Sequence, residues 1–303
     1  NRYSSPVVSG THFIGNFALV GGGIADNNSD PVLTATTFVS NTAPRRGGGI
    51  YGFESYATLT DCEFTGNAAW SDGIFHEHRG GGIYSYYSDL TLNRVVFYSN
   101  TAKSDGGGMY DRQSSPTLTD VTFSGNTASG SGGGMFNYDH SSPELTDCTF
   151  SGNTASWHGG GLWTDGGATL TTVTIISNTA ALNGGGLHTS GGWTMLSQST
   201  LTQNSAQNGG GLYNDGGNPT VTASTVSNNT AAVSGGGIYS YGSTPTLSAI
   251  TVTLNSAQHG GGMYNDTSSP TLTNVTFSGN TAEYYGGGMT NDTSSPTLSD
   301  VTF

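Results

Sequence analysis

The sequence predicts an all-β fold, a right-handed parallel β-helix of about 11–12 coils with 25–26 residues per coil, and three observations carry that prediction. An Asn that closes an F-x-x-N unit returns eleven times, at Asn16, Asn41, Asn67, Asn100, Asn126, Asn153, Asn178, Asn204, Asn229, Asn255 and Asn280. Eleven Gly-Gly-Gly triplets, the first at Gly21 and the last at Gly286, keep the same beat. Between them, short runs rich in Thr, Val and Phe alternate with period two, and nothing has helical spacing. A fixed period of this length marks a solenoid, whose units bury their apolar faces only against their neighbours.

The coil that begins at Gly106 shows how each element arises. Gly106-Gly107-Gly108 permits positive φ and close backbone packing, which suits a corner and a strand start. Met109 fills a column that elsewhere holds only Ile, Leu or Met, so it faces inward. Tyr110 follows, then a polar turn closed by Pro116, a residue excluded from a central ladder but accepted at a strand start. In the run 117–123, Val121 and Phe123 point in and Thr122 out. Leu118 joins the same core after a one-residue slip, which predicts a bend or bulge near Thr119-Asp120. Two or three short strands per coil result.

Asn126 ends the coil. The same amide at the same corner of every rung predicts an Asn ladder, each NH2 donating to the next carbonyl oxygen. The Ala two residues on is small because the corner is tight. Crossover chirality favours the right-handed superhelix, and stacked rungs at about 4.8 Å give a rod of roughly 55 Å.

Composition narrows the function. Only 9% of the residues are charged and 33% are hydrophobic, with 49 Gly, a mixture that would suggest disorder without the periodicity. A net charge of −13 with seven Lys plus Arg argues against a nucleic-acid partner. No apolar run is long enough for a direct membrane span. Cys62 and Cys148 take one inward column three coils apart, roughly 14 Å, too far to bridge. They read as buried small hydrophobes.

The paired signatures Phe123-x-x-Asn126 and Gly132-Gly-Gly-Met135-Phe136 resemble the repeats of chlamydial polymorphic outer-membrane proteins, and equally those of giant secreted bacterial β-helix proteins. The likeness covers the whole chain. It implies a pectate-lyase-like right-handed β-helix on a cell surface or outside the cell. The triplet here is GGG where that family has GGA, and no C-terminal membrane barrel is seen.

Three features could carry chemistry. The only break in rhythm is an insertion at 68–79, holding Trp70, His76, Glu77 and His78 beside Arg79. A loop on a rigid scaffold with acid, imidazole and aromatic groups is where a sugar or metal site would be built. The plain alternative is a tolerated corner insertion, and two His ligands alone do not make a metal site. A second feature is the column after the inward aliphatic: Tyr51, Tyr84, Tyr110, Phe136, Trp163, His188, Tyr213, Tyr239 and Tyr264. Alternation points it outward, as a contact ladder for glycan or a partner, or as mutual ring stacking. Third, Asp26, Asp111, Asp139, Asp165, Asp215, Asp266 and Asp292 gather in the following turn. Simple solvation accounts for them. Ca²⁺ is the one cofactor they could bridge, although the calcium-binding GGxGxD pattern is absent.

The reading that follows is a single β-helix repeat domain over 1–303, either a segment of a longer chain or a fibre subunit. Its residues 1–6 match 291–296, and Phe303 falls inside a coil. The expected function is a non-catalytic extracellular rod: a surface fibre, stalk, sheath or adhesin that self-associates by stacking, without catalytic residues, metal or cofactor. The alternatives are a carbohydrate-active β-helix enzyme, lyase or hydrolase, with its site at the insertion, or a module binding cell-surface or extracellular polysaccharide through the aromatic column.

Overall fold

A computed structural model describes residues 1–70 and 77–303 of the chain. Within them the backbone winds as a parallel β-solenoid built from four sheets of 12, 11, 11 and 10 strands. Each strand pairs in parallel with its counterparts one coil before and after, so the sheets run the length of the rod. In the coil from Gly106 the four strands are Met109–Arg112, Thr117–Thr119, Thr122–Ser124 and Thr127–Ala128. We call the sheets they belong to the aromatic, threonine, phenylalanine and alanine sheets. There are thus four strands per coil, more than the two or three expected, because each corner divides what reads as one extended run.

The corner chemistry explains the divisions. Asp120 has φ +54°, so a left-handed residue separates the threonine and phenylalanine strands and resets the alternation. That single residue accounts for the slip between Leu118 and Val121; no bulge is needed. Gly125 repeats the device one strand later with φ +62°. In the triplet, Gly106 takes φ +69° to turn into the aromatic sheet. Gly108 is held by proximity: a Cβ there would lie 2.6 Å from the Gly134 carbonyl oxygen and 2.9 Å from Phe123. The third glycine is therefore the site where neighbouring rungs and the Phe column meet.

One continuous core fills the rod. Met109, Leu118, Val121 and Phe123 are fully buried, and their equivalents are buried in the interior coils, while Val8, Phe13, Met289 and Val301 of the outermost coils are partly buried. The Phe rings stack face to face from Phe13 through Phe150, with centroids 4.6–5.0 Å apart. Cys62 and Cys148 are free and buried in this core. Burial raises both thiols, Cys148 to about 11.

The Asn corner is a hydrogen-bonded ladder. From Asn16 to Asn280, each Nδ2 donates to the next Oδ1 at 2.8–3.0 Å. Asn126 shows the full pattern. Its Nδ2 also donates to the Phe97 carbonyl at 2.9 Å, and its Oδ1 accepts the Asn100 backbone N–H at 3.0 Å. Each amide serves its own corner and the next, satisfying buried backbone groups the turn leaves open.

Candidate functional site

The aromatic sheet faces outward with a floor of nine rings. Tyr51, Tyr84, Tyr110, Phe136, Trp163, His188, Tyr213, Tyr239 and Tyr264 stack in unbroken order, centroids 4.2–6.0 Å apart. This column lies outside the core, yet it is less exposed than alternation alone suggests. Tyr84 and Tyr110 are fully buried, Phe136 and His188 nearly so, and Tyr51, Trp163, Tyr213, Tyr239 and Tyr264 half-buried. Mutual stacking and flanking side chains cover them.

Two columns flank that floor. On one side stands the residue just before each triplet, which pairs rung to rung: Arg46 with Arg79, and His158 with Asn183 and then Asn208. On the other stands the fourth strand position, where Tyr86, Arg112 and Tyr138 are in register. Arg46 lies over the Tyr84 ring and Arg79 over the Tyr110 ring, each 5.1 Å from the centroid, and Arg112 lies over Tyr86 at 5.1 Å. Guanidinium groups on ring faces hold their charge at the surface while covering the rings.

Between the columns lies a groove of about 310 Å³ lined by Arg79, Asp105, Tyr110, Ser131, Phe136, Tyr138, Trp157, His158 and Trp163. Arg79 Nε is 3.5 Å from Asp105 Oδ2, and burial nevertheless raises the Asp105 carboxyl. The Tyr110 hydroxyl is buried without a hydrogen-bond partner, and burial raises its pKa strongly, so it stays protonated. His158 packs against His188 with ring centroids 5.0 Å apart. Burial lowers both imidazoles, His188 to about 3, so both are neutral near pH 7. A neutral imidazole, the Tyr138 phenol, a guanidinium and two indoles share one concave surface. Such a set can bind a sugar ring, neutralise a carboxylate and move a proton.

Of the insertion, the described residues Glu77 and Arg79 stand at the edge of this groove. Glu77 is ion-paired to Arg46 and reaches Arg45 at 3.7 Å and Arg79 at 3.9 Å, gathering three guanidiniums. His78 is buried, its ring nitrogen 2.6 Å from the Pro44 carbonyl oxygen, so it serves the corner. Trp70 is partly exposed under the Lys103 ammonium, 4.7 Å from its ring centroid. His76 lies outside the described residues. Among the described residues no group of three or more His, Cys, Asp or Glu could hold a metal ion.

The Asp residues do not form one solvated turn. Asp26 and Asp111 occupy the third strand position, point inward and are fully buried, with raised pKa values caused chiefly by desolvation. Asp215, Asp266 and Asp292 occupy the fourth position and face out. Asp266 accepts the Tyr239 hydroxyl at 2.9 Å and Asp292 the Tyr264 hydroxyl at 3.4 Å, so tyrosine donors meet these carboxylates.

Sequence reasoning passed over Asp105, Trp157, His158 and the guanidinium cluster. A signal existed. The position before each triplet reads Val20, Arg46, Arg79, Asp105, Ser131, His158, Asn183, Asn208, Ser234, His259 and Tyr285. It is the one column beside the triplet that keeps no residue type, although it sits beside the most regular stretch of the repeat.

The right handed beta helix region model matches residues 71–231, more than half of the chain. The chain belongs to the right-handed β-helix family. The Chlamydia polymorphic membrane protein repeat also matches this β-helix, at residues 35–52 and 223–241. No curated protein matches it. Among solved structures, the periplasmic alginate epimerase AlgG aligns over 98% of this β-helix and 76% of its own chain, at 11% identity and TM-score 0.64. The A-module of the Azotobacter vinelandii mannuronan C-5 epimerase AlgE6 aligns over 97% and 91%, at 14% identity and TM-score 0.48. Tailspike protein 3 of bacteriophage CBA120 aligns over 88% and 47%, at 10% identity and TM-score 0.48. At these identities the likeness is one of fold. It corrects the expectation that the chain is no enzyme. AlgG is an epimerase on the same scaffold, so a regular β-helix does not exclude catalysis, and the groove residues differ from coil to coil.

Proposed function

We propose that this β-helix acts outside the cytoplasm on a carboxylate-bearing polysaccharide, in the groove between Arg79 and Trp163. The observation that carries the reading is the convergence of Arg79, Tyr138, His158, Trp157 and Trp163 on one groove of about 310 Å³. Indoles offer a sugar ring an apolar platform with polar edges free. The guanidinium offers a bidentate partner for a uronate carboxylate.

The chemistry this set suits is proton transfer at the carbon beside the carboxylate. Arg79 neutralises the carboxylate, which makes that carbon acid more acidic. His158, neutral because of burial, accepts the proton. Tyr138, exposed on the opposite wall of the groove, returns a proton from the other side, which inverts the carbon, or protonates the departing glycosidic oxygen, which cleaves the chain by elimination. Support also comes from AlgG, whose name states an alginate epimerase.

The test is incubation with a panel of polyuronates and neutral glycans in deuterated water, followed by proton NMR. The reading expects deuterium at the carbon beside the carboxylate, with inverted or unsaturated residues. His158→Gln should abolish exchange while leaving binding intact. No exchange and no binding with any polyuronate would overturn the reading.

A further inference from the structure

The face that carries the groove changes charge along the rod. All seven Lys and Arg residues lie in the first 112 positions; the stretch 113–303 contains ten Asp and Glu and no cation. Five of the seven cations border the aromatic face. Arg46 and Arg79 form one wall, Arg112 the other, and Arg45 and Lys103 stand beside them at the insertion. Beyond Trp163 the same floor continues, stacked, through the buried His188 to Tyr213, Tyr239 and Tyr264, which are again partly open. Its walls there are different. The corner column becomes Asn183, Asn208 and Ser234, and the fourth-position column carries Asp215, Asp266 and Asp292.

We propose that an anionic glycan seats only over the rungs from Arg46 to Trp163, and that Asp215, Asp266 and Asp292 are selectivity residues that exclude it from the remaining rungs. The inference rests on the groove reading above and adds where the chain stops. From Arg46 to Trp163 is four rung steps, about 19 Å at the inter-strand spacing. Asp165 holds the fourth position at the Trp163 rung itself, with its Oδ2 accepting the Asp139 backbone N–H at 2.9 Å, and the next carboxylate in that column, Asp215, comes two rungs later. At a screening length of about 8 Å the guanidiniums do not reach across that gap to offset it. A polyanion extending toward the C-terminal rungs would meet the same aromatic platform but like charges beside it. Neutral sugars would meet no such boundary.

The test is calorimetric titration with uronate oligomers of increasing length, from dimer to decamer, at low and at physiological salt. Affinity should rise with length and then level off once the oligomer covers about 19 Å. The triple variant Asp215→Asn, Asp266→Asn, Asp292→Asn keeps an acceptor oxygen for the Tyr239 and Tyr264 hydroxyls. It should leave short oligomers unchanged and bind the longest at least threefold more tightly than the native protein, most clearly at low salt. An affinity that keeps climbing with length in the native protein, or a length profile unaltered in the triple variant, overturns the boundary while leaving the groove reading standing. No binding at any length overturns the groove reading and the boundary with it.

Discussion

Asn126→Ala removes four hydrogen bonds from the middle of the ladder. The lost contacts are those from Nδ2 to Asn153 Oδ1 and to the Phe97 carbonyl, and those received by Oδ1 from the Asn100 backbone N–H and Nδ2. Each bond contributes about 1 kcal/mol net, and stranding the buried Asn100 N–H costs about 1–3 kcal/mol more. The expected loss is therefore about 5–7 kcal/mol, large against the stability of an ordinary domain. The matched control is Asn280→Ala at a partly exposed rung, where water can replace the partners of Val252 and Asn255. There the cost should be about 1–2 kcal/mol. Guanidinium unfolding followed by circular dichroism reads both variants. Amide exchange at Asn100 localises the first, since rungs of a solenoid couple mainly to their neighbours. Equal costs for the two variants, or a loss below about 1.5 kcal/mol for Asn126→Ala, would refute the idea that the buried ladder holds the coils together.

Two further predictions follow from the same structure. His188 has a folded pKa near 3 against 6.5 when free, a base depressed by burial. Its contribution is complete above about pH 6.5 and lost as pH falls toward 3, by at most about 5 kcal/mol. His188→Tyr, which continues the ring column, should flatten the acid side of the stability profile; parallel profiles for variant and native protein would contradict this. Gly108→Ala places a methyl group against Gly134 and Phe123 and should lower the unfolding midpoint substantially, whereas Gly216→Ala, where a Cβ has open space, should show only the mild cost of its left-handed backbone. Similar midpoints would refute close rung contact as the reason for the triplet.

Much of the fold is legible in the sequence because a solenoid repeats each environment eleven times. The Met109 column could be placed inside, and the Asn126 column assigned to a corner, without any alignment to other proteins. What misleads is local geometry at the corners. Asp120 reads as part of a strand, but its left-handed backbone ends one strand and starts another. The Asp residues look like one turn cluster, but strand alternation separates them: Asp111 is third after its triplet and points in, Asp215 is fourth and points out. The candidate site was harder to see for a physical reason. Repetition draws attention to columns that do not vary, whereas Arg79, Asp105 and His158 come from a column that does, brought together only when coils 26 or 27 residues apart are stacked. The insertion adjoins the candidate groove through Glu77 and the guanidiniums it gathers.

The measurement closest to the central claim is calorimetric titration of the native protein with a polyuronate and with its carboxyl-reduced neutral counterpart, repeated on Trp163→Ala and Arg79→Ala. The account predicts saturable binding of the polyuronate that weakens as salt rises. It predicts a loss of about tenfold or more, roughly 1.4 kcal/mol, for either variant. It also predicts much weaker binding of the neutral chain. Equal binding of both polymers, or polyuronate affinity unchanged by both substitutions, would contradict it.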